Sequence, residues 1–252
     1  MSTPGNLTTI GASKVSRGMP VRARQRAALL QPLPILHNYY DALFREHGPQ
    51  SWWPGRTRFE IIVGAILVQN TAWTNVERAI VNLRRERLLS PAAMEHVSQT
   101  KLAGLIRSSG YFRQKARRVK VFVRFLRKEY GGSLDRMFRT PTAVLREQLL
   151  AVHGIGPETA DSILLYAGGH PVFVVDAYTR RVLERHQLVH PKATYEEIRN
   201  LFEQSLPNSV SLFNEYHALI VHTGKYFCKT REPQCEACPL HSYLPKMDEV
   251  KP

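Results

Sequence analysis

Apolar residues recur at intervals of three and four along most of the chain from residue 33 onward, with polar residues between them. This interval places the apolar side chains on one face of a helix, where they can pack into a core. Only residues 171–175 form a strand-like run, which is too short to build a sheet. The chain is therefore predicted to be all-α, with helices over residues 33–47, 57–71, 74–89, 111–130, 142–153, 158–167, 178–187, 194–205 and 211–225.

The chain of 252 residues carries a net charge of +14 and has an isoelectric point near 10.0. A positive balance of this size favours a polyanionic partner. The longest apolar run, at residues 61–68, is too short to span a bilayer, and no long basic amphipathic helix with a membrane-facing side is visible. Nucleic acid is therefore favoured over a membrane as the partner.

The N-terminal residues 1–28 contain five lysine and arginine residues and no acidic residue. They are rich in serine, threonine and glycine and lack helical spacing, so a disordered basic tail is predicted. Such a tail tracks along DNA or, alternatively, acts as an organelle transit peptide. No apolar secretory signal is visible, so the protein is predicted to work inside the cell, in the cytoplasm or nucleoid.

A glycine-rich turn precedes the helix predicted at residues 158–167. Gly154 and Gly156 flank Ile155, and Pro157 follows, a residue that suits the first turn of a helix. A helix N-terminus presents free N–H groups to an anion, so this turn can grip a DNA phosphate. The alternative is that Gly-x-Gly before a helix forms an ordinary tight turn.

One carboxylate follows this turn closely. Asp176 stands just before the helix predicted from residue 178. A fixed carboxylate can stabilise positive charge that develops in a transition state, and it can orient water. The alternative role of Asp176 is a helix N-cap, which contributes about 1 kcal/mol. The two roles are compatible, since a cap fixes the direction of the carboxylate.

The segment LLAVHGIGPETADSILLYA resembles the helix-hairpin-helix of the endonuclease III superfamily of DNA glycosylases, and VVDAYTRRV resembles the segment that carries the family's essential aspartate, here Asp176. Further matches, at residues 52–80 and in the C-terminal cysteines, extend the resemblance over about residues 35–240. It implies two helical domains that enclose a cleft, with Asp176 at its mouth. The implied parts are a six-helix barrel at 51–168, a second domain at 30–50 plus 171–226, and a cysteine-containing loop at 227–252.

The resemblance also implies a partner, double-stranded DNA that contains damaged bases, and we predict that the protein binds it as a monomer. Gln69 matches the family position that fills the gap left by an extruded base; its alternative role is an ordinary polar residue at a helix end. The hairpin residues implied in DNA binding are Val152, Gly154, Ile155, Gly156, Glu158 and Thr159.

Bifunctional members of this family carry a lysine at the position of Glu158. That lysine attacks the sugar, forms a Schiff base and nicks the backbone, which requires an amine nucleophile. The resemblance therefore implies a monofunctional, hydrolytic glycosylase that needs no cofactor for its chemistry. The alternative role of Glu158 is a favourable charge in the first turn of its helix, which contributes about 0.3–1 kcal/mol.

The three tryptophans of the chain, Trp52, Trp53 and Trp73, fall within one segment. They are predicted to stack on a base that has left the duplex, although most tryptophans are core residues. The tryptophan-containing segment at residues 52–73, together with YFRQKARR and GIGPETADSI, resembles the endonuclease III-type 3-methyladenine DNA glycosylases. Lys225 matches a position in the base pocket of that branch. The alternative is that Lys225 is an ordinary basic residue near a helix end.

The resemblance to this branch implies alkylated purines such as 3-methyladenine as substrates. Cation–π stacking on tryptophan is consistent with this choice, because these purines are cationic when alkylated at N3 or N7. Two alternatives stay open. In the first, the enzyme removes another base, such as uracil, a mismatched thymine or a mispaired adenine. In the second, the protein is a non-catalytic helix-hairpin-helix protein that binds DNA.

Residues 113–128 carry an unusually high positive charge, with eight lysine and arginine residues and no acidic residue. Val119, Phe122, Val123 and Leu126 supply an apolar stripe to the same predicted helix. Without acidic partners, a surface that faces DNA phosphates is favoured over a merely solvated basic face.

Three cysteines, Cys228, Cys235 and Cys238, match the first three cysteine positions of the family's iron–sulfur loop, C-x6-C-x2-C-x5-C, with Leu244 at the fourth position. Four thiolates normally hold a [4Fe–4S] cluster. Three possibilities stay open: a cluster with an exogenous ligand, zinc bound together with His241, or a loop that binds no metal.

Overall fold

The computed structural model describes residues 33–245, and the predicted basic tail at residues 1–28 lies outside them. Residues 33–245 contain no β-strand, which confirms the all-α prediction, and none of their helices has the length and apolar character of a membrane span. The helices are α1 (Ile35–His47), α2 (Arg58–Leu67), α3 (Trp73–Arg85), α4 (Pro91–His96), α5 (Gln99–Leu105), α6 (Phe112–Tyr130), α7 (Leu134–Phe138), α8 (Thr142–Leu150), α9 (Pro157–Ser162), α10 (Ala177–Arg185), α11 (Tyr195–Ser205) and α12 (Val210–Tyr226). A π-helical turn, Ile163–Gly168, continues α9, and 3-10 turns lie at Arg107–Ser109 and His241–Tyr243.

Side-chain caps fix where several helices begin. Thr57 accepts the backbone N–H of Glu60 at the start of α2, and Ser209 accepts that of Leu212 at the start of α12. Each bond satisfies one of the N–H groups that a helix leaves free at its N-terminus, and is typically worth about 1 kcal/mol. Asp176 caps α10 in the same way.

Helix α2 runs through the core, and the rings of Trp53 and Trp73 pack against it. Its residues are buried from Phe59 to Leu67 except Ile61, and it packs against α3, α6 and the π-helical turn. Gly64 lies in its middle, and a Cβ atom there would lie 3.4 to 3.6 Å from the rings of Trp73 and Trp53. The glycine therefore lets two indole rings approach the helix backbone.

The first helix of the described chain packs on the last. The hydroxyl of Tyr216 in α12 donates to the carbonyl of Leu36 in α1 over 2.8 Å, across 180 residues of sequence. The backbone N–H of Leu33 donates to Ser205 Oγ in α11, also over 2.8 Å. These are contacts of the kind that a domain made of residues 30–50 plus 171–226 requires, and the domain boundaries stay a prediction.

The strand-like run before α10 is extended but pairs with no strand in the described part of the chain. Residues 172–175 are buried, and the ring of Phe173 stacks on that of Phe202 at 3.8 Å with an interplanar angle of 4°. The backbone N–H of Phe173 donates to the Glu203 carboxylate over 2.9 Å. Ring and side-chain contacts thus replace a sheet and hold the segment that leads to Asp176.

Candidate active site

Asp176 lies at the N-terminus of α10 with a side chain only 13% exposed. Its Oδ1 atom accepts the backbone N–H of Thr179 over 2.7 Å, so the predicted cap is present. Its Oδ2 atom lies 3.7 Å from Nε2 of His217 in α12. The carboxylate is therefore held from one side by its own helix and faces a buried imidazole on the other.

His217 lies next to this carboxylate and Tyr166 lies next to His217. Neither residue was predicted from the sequence to belong to the site. The hydroxyl of Tyr166, in the π-helical turn, lies 2.6 Å from His217 Nδ1. Burial lowers the pKa of His217, and the negative charge of Asp176 opposes that shift. Burial also raises the pKa of the Tyr166 hydroxyl well above its ordinary value, and the charge of Asp176 acts in the same direction.

The three predicted tryptophans gather beside this pair. The ring of Trp53 lies 4.9 Å from Tyr166 at a tilt of 32°, 4.9 Å from Trp73 edge-on, and 5.8 Å from Trp52 edge-on. Aromatic pairs at these separations attract through their quadrupoles in addition to the apolar area they bury. The sequence-predicted base-pocket tryptophans and Asp176 are thus connected through Tyr166 and His217.

A cavity of about 300 Å³ opens beside Trp53 and Trp73. The ion pair between Glu60 and Arg84, 2.8 Å long, forms a further part of its wall. Asp176 does not line this cavity, which therefore lies beside the tryptophans and not around the carboxylate.

The predicted hairpin forms as a tight turn with Gly154 at a φ of +90°, a conformation that favours glycine. The backbone N–H of Ile155 donates to the Val152 carbonyl, and both side chains are buried. Gly156 is extended at the N-cap of α9, and Pro157 occupies its first turn. The chain therefore presents a helix N-terminus at the point where the sequence placed a phosphate grip.

Gln69, which follows the end of α2, bridges to this hairpin. Its side-chain amide donates to the Gly154 carbonyl over 3.1 Å and to Thr159 Oγ1 over 2.8 Å. Its amide oxygen accepts from the guanidinium of Arg118 in the basic helix α6. A cavity of about 190 Å³, lined in part by Gln69, Arg118 and Glu158, lies at this junction.

Two lysines of α6, Lys115 and Lys120, donate hydrogen bonds to backbone carbonyls of neighbouring elements. The ammonium of Lys115 is buried and donates to the carbonyls of Leu67 and Ser109, over 2.8 and 2.6 Å. Lys120 donates to three carbonyls at the end of α4. Carbonyls at helix ends therefore bind these two ammonium groups, and the predicted contacts with DNA phosphates fall to the other basic residues of the run.

Glu158 occupies the first turn of α9, next to the Gln69 junction. Burial of its carboxyl raises its pKa to about 7, and the negative charge of Asp176 acts in the same direction. The residue as a whole is nonetheless exposed to solvent, so the carboxyl lies in a crowded but open part of the surface. The carboxyl groups of Glu158 and Asp176 therefore lie in the same region. Residue 158 is thus a carboxylic acid at the position where Schiff-base chemistry would need an amine.

Lys225 stands apart from the other predicted pocket residues. It is exposed near the end of α12, and its ammonium lies 5.1 Å from the ring centre of Tyr226. Its ring contact is thus with a neighbouring tyrosine, and the structure does not bring it into the cluster of Trp52, Trp53 and Trp73.

The three cysteines converge on one small cavity of about 10 Å³, which is also lined by His241 and Leu244. Arg185 donates to the sulfur of Cys228 over 3.1 Å, and burial raises the pKa of the Cys238 thiol. Within residues 33–245, no group of three His, Cys, Asp or Glu side chains is placed to hold a metal ion. With leucine in place of the fourth cysteine, this loop lacks one of the four thiolates that normally hold a [4Fe–4S] cluster.

The fold and this site define a class of DNA repair enzymes with a helix-hairpin-helix before an aspartate. The family model described as HhH-GPD superfamily base excision DNA repair protein matches residues 63–208. The chain belongs to this superfamily and is a DNA glycosylase.

Two relatives and two solved structures give the scale of the similarity. A Methanocaldococcus jannaschii protein, whose name assigns it to the DNA repair glycosylases, is 44% identical over 83% of this chain and 95% of its own. Endonuclease III of Thermotoga maritima is 30% identical over 73% of this chain and 81% of its own. The structure of the H. pylori 3-methyladenine DNA glycosylase bound to 1,N6-ethenoadenine has a TM-score of 0.64 and 27% identity, covering 80% of this chain and 96% of that one. A non-covalent complex of endonuclease III with DNA shares the fold, with a TM-score of 0.70 and 23% identity over 90% of this chain and 96% of that one.

Proposed function

We propose that this protein is a monofunctional DNA glycosylase that hydrolyses the N-glycosidic bond of alkylated purines, such as 3-methyladenine, after they leave the duplex. The observation that carries the proposal is the connection of Asp176 to the tryptophan cluster through His217 and Tyr166. A carboxylate for the sugar and stacking surfaces for the base are what this reaction needs.

Asp176 supplies the charge that the reaction requires. As the base departs, positive charge develops on the sugar, and a carboxylate whose direction is fixed by the α10 cap stabilises that charge without reorganising. The same carboxylate orients the water molecule that adds to the sugar carbon.

The absence of an amine at position 158 supports hydrolysis without strand cleavage. A Schiff base forms only if an amine reaches the sugar. Glu158 has no nucleophilic nitrogen, and the ammonium of Lys115 is bound to two backbone carbonyls. Water is therefore the nucleophile that the proposal assigns.

The electrostatics around the tryptophans support a cationic base. A purine alkylated at N3 or N7 carries positive charge, which aromatic faces attract when water is excluded. The charges of Asp176 and Glu158 both act on Tyr166, whose ring contacts Trp53. Lys225 lies beside Tyr226 rather than beside a tryptophan. The similarity to the H. pylori 3-methyladenine DNA glycosylase points to the same substrate class.

The test is base release from methylated DNA and from duplexes that each contain one defined lesion. We expect chromatography to show released 3-methyladenine, and the treated strands to break only after hot alkali. Release of uracil, mismatched thymine or mispaired adenine in place of alkylated purines would reassign the substrate. Breakage without alkali would contradict the monofunctional proposal.

The exposed arginines of α6 are proposed to contact DNA phosphates. Arg113 and Arg117 are exposed one helical turn apart, while Arg118 on the same helix donates to Gln69, which in turn donates to the hairpin carbonyl of Gly154. We expect Arg113→Ala and Arg117→Ala each to flatten the slope of log affinity against log salt by about 0.9, the contribution of one phosphate contact to duplex binding. Fluorescence anisotropy at several salt concentrations measures this slope.

The matched control for these arginine variants is Lys101→Ala. Lys101 is a surface lysine on α5 that pairs with Glu86 over 2.7 Å. Its removal is expected to leave the salt slope unchanged. Equal slopes for the wild-type protein and the two arginine variants would remove α6 from the DNA-binding surface.

A further inference from the structure

We propose that Tyr166 and His217 form a hydrogen-bonded relay that orients the Asp176 carboxylate, with neutral His217 directing its Nε2–H towards Oδ2. Both are positioning residues, since they act through Asp176. The inference rests on the proposed function of Asp176 and adds to it the groups that set its geometry.

The first support is how the carboxylate is bound. The Thr179 N–H bonds only one of the two oxygens of Asp176, so this cap sets the direction of the side chain but does not by itself fix the second oxygen. The other oxygen lies 3.7 Å from His217 Nε2. Catalytic hydrogen bonds are often long in an unliganded enzyme and tighten when substrate binds. His217 is thus placed to fix the second oxygen and with it the plane of the carboxylate.

The second support is an unsatisfied buried atom. His217 is 4% exposed, and its Nε2 atom is buried without a hydrogen-bond partner among the described residues. A buried polar atom without a partner costs free energy, so such an atom in a native fold calls for an explanation. The Asp176 oxygen is the acceptor that this nitrogen faces.

The third support is the direction of the protons. Because burial lowers the pKa of His217 and raises that of Tyr166, the imidazole is neutral and the phenol keeps its proton near neutral pH. The phenol then donates to Nδ1, which leaves the single imidazole proton on Nε2, facing Asp176. The opposite tautomer would place a nitrogen lone pair against the carboxylate and repel it.

The relay also links the carboxylate to the base-stacking surface. The tyrosine whose hydroxyl contacts His217 has its ring 4.9 Å from the ring of Trp53. A base that stacks on this ring pair therefore contacts the same side chain that sets the imidazole tautomer. Recognition of the base and orientation of the carboxylate share one residue.

The activity test compares His217→Leu with His217→Gln in single-turnover base release. We expect His217→Leu to slow release by about 100-fold, as misplaced catalytic groups do, with DNA affinity unchanged. His217→Gln is expected to recover at least about tenfold of that loss, because its amide N–H reaches the place of the imidazole Nε2–H. Tyr166→Phe is expected to cost about fivefold, the equivalent of one neutral hydrogen bond.

The matched control is His222→Gln, on the same helix but packed against His47 and Tyr226, and it is expected to release base at the wild-type rate. Thermal unfolding of every variant separates loss of the fold from loss of orientation. Wild-type rates in His217→Leu, or equal losses in His217→Leu and His217→Gln at equal stability, would overturn the relay.

A second measurement tests the relay without relying on activity. Nitrogen-15 NMR of the DNA-free wild-type protein is expected to show the His217 proton on Nε2. A proton on Nδ1 would overturn the relay even in an active enzyme. If no lesion is released but the proton is on Nε2, the proposed function fails and the arrangement of the three side chains still stands.

Discussion

Replacement of Asp176 by asparagine is expected to slow base release by at least about 100-fold, the scale on which loss of one preorganised electrostatic group acts. A neutral amide cannot match the carboxylate in stabilising positive charge on the sugar. Asparagine is as good an N-cap as aspartate, so α10 and the stability of the protein are expected to be retained. Single-turnover release and thermal unfolding, measured on the same preparations, give both quantities.

Two control variants separate catalysis from capping at this site. Asp176→Ala removes charge and cap together and is expected to lower stability by about 1 kcal/mol as well as activity. Ser209→Ala removes the cap of α12 and is expected to cost a similar stability with little change in activity. DNA affinity is expected to persist in Asp176→Asn, since the hairpin and α6 are unchanged. Wild-type release by Asp176→Asn would remove the carboxylate from the mechanism.

The helical fold was predictable because its longer helices repeat an apolar interval often enough to be seen. α6 and α12 satisfy this condition, with 19 and 17 residues. Helices α4, α5 and α7 were missed, since with 5 to 7 residues each contains at most two turns. Their capping serines, Ser90, Ser98 and Ser133, are the signal that could have located them.

The site was predictable where its parts are local in sequence. The hairpin with Gly154 and the cap by Asp176 depend on neighbouring residues and form as expected. Tyr166 and His217 escaped because 51 residues separate them and only tertiary packing brings them together. A histidine within a buried helical stripe gives no sequence signal that distinguishes a polar contact from ordinary packing.

The basic helix and the cysteine loop show a second limit of pattern reasoning. Counting charges on α6 could not tell Arg117, which faces solvent, from Lys115, which binds two carbonyls inside the protein. The spacing of the cysteines kept three possibilities open, and it did not show that Cys228, Cys235, Cys238 and His241 line one small cavity. Both cases depend on where side chains end, which the sequence order does not contain.

Glu158→Lys is expected to convert the enzyme from a hydrolase into one that forms a covalent bond with DNA. The position lies in the first turn of α9, where the negative charge of Asp176 acts on the side chain of Glu158. An amine there can attack the sugar carbon C1′ and displace the base. The C1′–O4′ bond of the sugar then breaks, O4′ takes up a proton, and the resulting Schiff base later eliminates the 3′ phosphate. Borohydride reduces the Schiff base, so a protein–DNA adduct is expected on a denaturing gel.

The comparison that decides this prediction is with Glu158→Gln. Glutamine removes the negative charge without adding an amine, so it is expected to release base and to form no adduct. Glu158→Lys combined with Asp176→Asn is expected to lose most of the adduct, because attack by the amine still needs the departing base and the charge on the sugar. An adduct with the wild-type protein would mean that another lysine reaches the sugar, and that the residue at position 158 does not decide between hydrolysis and strand cleavage.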